Sequence, residues 1–149
     1  MIVRRARRNE LTALSAIEAG VFQDAVYPSF FFRQAFDLWP ELLWIAAGAD
    51  DEPRGYAMGA VSNSAGVAWI LSMAVSKPIR SKGYGKALVA ALLDAMRACG
   101  CTEVRLTVHP ENAAIRIYER LGFHEISREA DYFHSDDPRI VMQCRLAGR

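Results

Sequence analysis

Cysteine is scarce in this chain: there are three in 149 residues. The number is odd, and Cys99-Gly-Cys101 lacks the two-residue spacer of a redox or zinc pair. Cys99, Cys101 and Cys144 therefore read as reduced structural thiols. Charge of one sign is also lacking, since 18 Lys and Arg against 17 Asp and Glu leave a net charge of +1. That excludes a dominant electrostatic attachment to nucleic acid or to an anionic membrane. No apolar run is long enough to span a bilayer, and no signal-peptide core follows the basic start Arg4, Arg5, Arg7 and Arg8. A cytoplasmic location is expected, with the arginines on a solvated strand edge. Internal repeats, low-complexity segments and linkers are absent. With 52% hydrophobic and 23% charged residues the composition is that of a folded globular protein, and the length suits one core better than two. One domain spanning residues 1–149 is expected.

Against that background the stretch Arg80-Ser81-Lys82-Gly83-Tyr84-Gly85-Lys86 stands out. It follows the strand-like run at 67–75. Beyond it, Tyr84, Ala87, Leu88, Ala91, Leu92, Ala95 and Met96 recur at the spacing of one helical face. A glycine-rich loop that opens a helix suits an anion. Glycine lets the backbone approach closely, and the first helical turn offers N–H groups without intrahelical partners in a favourable field. A Walker loop is excluded because Arg80 stands where its first Gly belongs and Ala87 where its magnesium-binding hydroxyl belongs. The dinucleotide fingerprint is excluded because Leu88 replaces its third Gly.

The remaining elements read as follows. Strands are expected at 2–6, 42–47, 56–61, 67–75, 104–108, 123–128 and 140–146. Helices are expected from an Asn9 N-cap through Phe22, from Pro28 and Ser29 to Trp39, from the glycine loop to Gly100, and from Asn112 to Gly122. The strand–helix–strand crossover around the long helix makes its two strands parallel neighbours.

A second segment, Leu106-Thr107-Val108-His109-Pro110-Glu111-Asn112 running on to Tyr118 and Leu121-Gly122-Phe123, presents a strand, an Asn opening a helix, then Tyr and Gly-Phe. Together with Arg-x-x-Gly-x-Gly at 80–85, and in the same order and spacing, it resembles the acyl-CoA motifs of the GNAT family of N-acetyltransferases. The match covers roughly residues 67–126. The first helices, with Tyr27-Pro28 and the aromatic run to Trp39-Pro40, faintly resemble protein N-terminal acetyltransferases of the ribosomal-protein alanine type.

The resemblance implies an α/β fold with a mixed, mostly antiparallel sheet of about seven strands, about four helices and two parallel, splayed central strands. It implies acetyl-CoA as cosubstrate, no metal, and direct transfer of acetyl to a primary amine in a ternary complex. Arg80, Ser81, Lys82, Gly83, Tyr84, Gly85 and Lys86 would hold the pyrophosphate. The backbone of Met73, Ala74 and Val75 would pair with the pantetheine, and Asn112 would contact the cofactor. Tyr118 would act as general acid, because a phenol of pKa about 10 is protonated at neutral pH. The acceptor would be a peptide N-terminus or a small amine, with Tyr27, Phe31, His109 and Tyr132 on its side of the site. The general base stays open: the strand at 67–75 holds no acid, Thr107 cannot serve, and Tyr27, Glu18, His109, Asp131, Tyr132 and a water chain are the candidates. A CoA-binding module without catalysis and a nucleotide-binding protein are the rival readings. Monomer and homodimer are both open.

Overall fold

The computed structural model describes residues 1–22, 26–79 and 82–146. In chain order these form β1 (Ile2–Arg5), α1 (Leu11–Val21), α2 (Ser29–Leu38), β2 (Leu43–Ala47), β3 (Pro53–Val61), β4 (Val67–Val75), α3 (Tyr84–Ala98), β5 (Glu103–Val108), α4 (Ile115–Arg120), β6 (His124–Glu129) and β7 (Arg139–Arg145). The strands make one seven-stranded sheet in the order β1-β2-β3-β4-β5-β7-β6. Only β4 and β5 run parallel, as expected of strands joined through a helix; the other pairs are antiparallel. The mixed α/β architecture, with its four α-helices, matches the expected fold class.

Alternation along the strands divides the core between the two faces of the sheet. On one face α3 lays Leu88, Val89, Leu92, Leu93 and Met96 over Ala57, Ala68, Ile70, Val104 and Leu106. On the other, Leu14 of α1 and Phe32 and Ala35 of α2 cover Leu43, Ile45, Tyr56 and Met58. The β3 positions beneath α3 are small. A Cβ at Gly59 would come 2.5 Å from Met96 Cε, and one at Gly55 would come 2.9 Å from the Ala74 carbonyl oxygen. The obstacle at Gly59 is the end of a flexible side chain, whereas at Gly55 it is backbone. Gly55→Val is therefore expected to cost about 1–3 kcal/mol through overpacking, seen as a lower urea midpoint with an unchanged slope.

Two details depart from the expected pattern. Asn9 does not cap α1: it lies within a 3-10 turn, Arg8–Glu10, and it is Glu10 that reaches back, its carboxylate accepting the Arg7 N–H at 2.8 Å. The basic start is also more than a solvated edge. Arg4 donates to both oxygens of Glu10, at 2.9 and 2.7 Å, and to Asp51 at 3.0 Å, while Arg7 donates to Asp51 at 2.8 Å. These hydrogen bonds hold the Glu10 and Asp51 carboxyls below their ordinary pKa values. Cys101 and Cys144 are buried free thiols, and Cys99 is exposed. Among the described residues no helix is long and apolar enough to cross a membrane.

Candidate active site

The site begins with an irregularity in β4. β3 pairs Met58 with Ser72 and then Gly59 with Ile70, leaving Leu71 as an extra residue on β4. Such a bulge bends a strand and re-aims its side chains. Here it sets two consecutive residues towards the α1–α2 face: Leu71 packs into that core, and Ser72 bonds to side chains within it. From the bulge onward β4 also leaves its parallel neighbour. Pairing between them runs only from Val67 to Ile70, opposite Glu103 to Leu106, whereas Thr107 and Val108 of β5 stay paired with β7. The splay expected of the two central strands is present.

A cavity of about 1040 Å³ opens where the strands part. Its walls are Met73, Ala74 and Val75 of β4; Gly83, Tyr84, Gly85 and Lys86 at the start of α3; His109, Glu111, Asn112, Ala113, Ala114, Ile117 and Arg120 after β5; and Val21 and Phe22 at the end of α1. Met73, Ala74, Val75, Gly83, Tyr84, Gly85, Lys86, His109 and Asn112 are thus brought to one cavity, though up to 39 residues apart in sequence (112 − 73). Lys82 is exposed just ahead of α3. Arg80 and Ser81 lie outside the described residues. Glu111, Ala113, Ala114, Ile117, Arg120, Val21 and Phe22 carried no sequence signal beyond their nearness to recognisable motifs.

Both glycines of the loop have identifiable work. Gly83 precedes α3 with φ +82°, in the left-handed region where a side chain is strained, and the space a Cβ would occupy is open. Gly85 is buried, and a Cβ there would come 3.0 Å from Ile117 Cδ1 and 3.4 Å from Met73 Cε. The first turn of the 15-residue α3 therefore opens onto the cavity with no side chain over its N–H groups at these two positions. Asn112 does not cap α4, which starts at Ile115. Its Oδ1 accepts the Ala114 N–H at 2.9 Å and its carbonyl accepts the Ile115 N–H at 3.2 Å, which makes an Asx turn leading into the helix. The Nδ1 of His109 accepts the Glu111 N–H at 3.1 Å.

Tyr118 lies one residue beyond the cavity wall at Ile117, 6% exposed, with its ring edge-on to Phe123 at 5.7 Å. Burial pushes its phenol above the ordinary value of 10.0. Tyr27 and Phe31 stack at 4.8 Å against the α1–α2 core, and Tyr132 packs edge-on to Phe133 at 4.9 Å in the β6–β7 connection. Burial first, then the Glu18 charge and then Tyr132 raise the Tyr27 phenol. None of Tyr27, Phe31, Tyr118 and Tyr132 lines the cavity itself.

Beside the bulge lies a polar group in the middle of the α1–α2 core. Glu18, 1% exposed, accepts hydrogen bonds from the Tyr56 hydroxyl and from Ser72 Oγ (3.0 Å) on Oε1, and from the Tyr27 N–H (3.0 Å) on Oε2. Tyr56 and Ser72 are themselves 2.8 Å apart, and the Tyr27 hydroxyl donates to the Leu71 carbonyl at 3.3 Å. Every neighbour is a donor, the arrangement a carboxylate accepts. The sequence offers Glu18 as a candidate base and singles out neither Tyr56 nor Ser72. The signal available was a serine inside an otherwise apolar strand.

The sequence profile of the acetyltransferase (GNAT) family matches residues 9–123. An uncharacterized N-acetyltransferase of Methanocaldococcus jannaschii is 28% identical over 144 residues, spanning 95% of this chain and 90% of its own. N-alpha-acetyltransferase 30 of Saccharomyces cerevisiae is 30% identical over 115 residues, 72% of this chain and 65% of its own. The ribosomal protein bS18-alanine N-acetyltransferase of Escherichia coli is 34% identical over 84 residues, 54% of this chain and 57% of its own. Among solved structures, Ard1 from Thermoplasma volcanium superposes with a TM-score of 0.89 over 98% of this chain and 97% of its own, at 24% identity, a likeness of fold. Profile, relatives and architecture agree with the bulged, splayed strands and the glycine loop: this chain belongs to the acetyltransferase (GNAT) family and is an acetyl-CoA-dependent N-acyltransferase.

Proposed function

We propose that the chain moves acetyl from acetyl-CoA directly to the amine of a protein or peptide N-terminus within a ternary complex. The observation that carries this reading is the parting of β4 and β5 over a cavity that has the α3 loop on one wall and the end of α1 on another. The N–H groups of the α3 first turn, with Lys82 and Lys86 beside them, suit the pyrophosphate of the cosubstrate. Met73 and Ala74 offer an extended edge beyond the last residue paired with β5, a partner for the amide-bearing pantetheine arm. Main-chain donors at the parted strands suit the thioester oxygen as it gains negative charge, and Tyr118 supplies a proton to the departing thiolate. The N-terminal acceptor is supported by the yeast and Escherichia coli relatives, whose names specify N-alpha and ribosomal-protein alanine acetylation. The Tyr27–Phe31 pair, tied to the bulge through the Tyr27 hydroxyl, and the Tyr132–Phe133 pair offer that acceptor apolar surface outside the cavity wall.

The test is isothermal titration with acetyl-CoA, run beside a Gly83→Asp plus Gly85→Asp variant, followed by an acetylation screen of short peptides and small amines. Micromolar binding is expected, lost in the variant because a carboxylate at Gly85 meets Ile117 and Met73 and places negative charge in the anion site. Well-folded wild-type protein that takes up no acetyl-CoA would overturn the cradle. Acetylation confined to small amines would overturn the N-terminal acceptor.

A further inference from the structure

We infer that Ser72 and Glu18 form the proton path for the attacking amine, a role for which sequence left no clear owner; the inference rests on the acetyl-transfer reading above. Ser72 stands on β4 between the bulge residue Leu71 and the cavity-lining Met73, and it is half-buried, whereas Glu18 is almost wholly buried. A carboxylate so enclosed cannot meet a substrate itself. It is, however, within one hydrogen bond, at 3.0 Å, of the hydroxyl of half-buried Ser72, which shares its face of β4 with the cavity-lining Ala74. As the amine nitrogen forms its bond to the acetyl carbon and the carbon–sulfur bond breaks, the nitrogen gives its proton to Ser72 Oγ, and Ser72 passes its own proton to Glu18 Oε1. The electron pair of the broken bond leaves on sulfur, which is protonated by Tyr118 or solvent. After product departure Glu18 returns its proton through Ser72 to water.

The groups facing Glu18 are few. Tyr56 reaches it from β3, Ser72 from β4 and Tyr27 from the segment before α2, with Tyr132 of the β6–β7 connection beyond Tyr27. Among the described residues no Lys, Arg or His is bonded to it. Tyr56 is a positioning residue in this scheme. Its hydroxyl stabilises the charged carboxylate, and burial together with the Glu18 charge holds its own phenol well above the ordinary value, so it keeps its proton. Replacing it by Phe removes one donor from Glu18 and leaves that carboxylate less firmly placed against Ser72.

The experiment measures kcat and kcat/KM against pH for wild type, Ser72→Ala, Ser72→Thr, Glu18→Gln and Tyr56→Phe, using acetyl-CoA and the peptide panel above. Loss of the proton path should lower kcat about 100-fold in Ser72→Ala and Glu18→Gln, with the Kd for acetyl-CoA within about twofold of wild type. Ser72→Thr, which keeps a hydroxyl, should recover most of the rate, and Tyr56→Phe, which loses a positioning donor but no member of the path, should fall between wild type and Ser72→Ala in kcat with KM unchanged. If Glu18→Gln does not fold, the two Ser72 variants decide. Ser72→Ala within about threefold of wild-type kcat, or Ser72→Ala and Ser72→Thr equally impaired, overturns the path while leaving the acetyltransferase reading intact. Wild-type protein that binds acetyl-CoA and acetylates no amine overturns both.

Discussion

Tyr118→Phe is expected to lower kcat by about 10²- to 10⁴-fold while changing the Kd for acetyl-CoA little, since Tyr118 is the proposed general acid and loss of such a group has that range of effect. The substitution removes one oxygen and keeps the ring. Phe fits the same volume against Phe123 and the same side of α4, so stability should shift by less than about 1 kcal/mol. The chemical reason for the loss lies in the environment. Burial raises the Tyr118 phenol, so it is fully protonated wherever the enzyme is folded and working. In the proposed role such a group would give nothing to the ground-state thioester and would stabilise only the thiolate that develops as the bond breaks. A variant that lacks it should show the loss in kcat and kcat/KM together, with binding of acetyl-CoA preserved. Steady-state kinetics beside titration calorimetry checks this. Turnover within a few-fold of wild type would assign the leaving-group proton to solvent.

The largest expected effect on stability is that of Phe32→Ala, at about 3–5 kcal/mol. Phe32 is fully buried in the second turn of α2 and meets Tyr56 edge-on with centroids 5.3 Å apart. Leu14, Leu43, Ile45 and Met58 share its cluster, so the truncated side chain leaves a void bounded by two helices and the sheet. For a chain of this length such a loss corresponds to a fall in Tm of roughly 10 °C, read by calorimetry. Phe30, two residues earlier on the same helix, is 65% exposed, and Phe30→Ala should stay within about 0.5 kcal/mol of wild type. The contrast tests the assignment of faces on α2. It also bears on chemistry, because Phe32 backs the ring whose hydroxyl reaches Glu18.

The parts of the molecule that could be read in advance are those written locally. The α3 face repeats at helical spacing, Gly100 and Gly122 end their helices with positive φ, and the alternation in β5 leaves one face buried, all without reference to distant residues. Gly83 and Asn112 belong to this group, since each shapes its own turn, whereas Gly85 answers to Ile117 and Met73, which lie far from it in sequence. The polar group around Glu18 does not. Its members come from α1, β3 and β4, with Glu18 and Ser72 separated by 54 positions, and no periodicity along one segment predicts their meeting. Arg4 is a similar case: four arginines in five positions look like a solvated run until Glu10 and Asp51 are folded against one of them.

The bulge at Leu71 has a consequence for how the opening in the sheet is encoded. Met58 and Gly59 are neighbours on β3, and they face Ser72 and Ile70. If Leu71 were deleted, Ser72 and Ile70 would become neighbours too, and each would keep the side of the sheet it now occupies. The α3 core and the α1–α2 core would both survive the deletion with their side chains in place. What would go is the bend that carries β4 away from β5, along with the carbonyl that receives the Tyr27 hydroxyl. The gap between the two strands is therefore tied to a count of residues rather than to the nature of any one of them. A frame that is one position longer than its partner strand is enough to turn a continuous sheet into an enclosure.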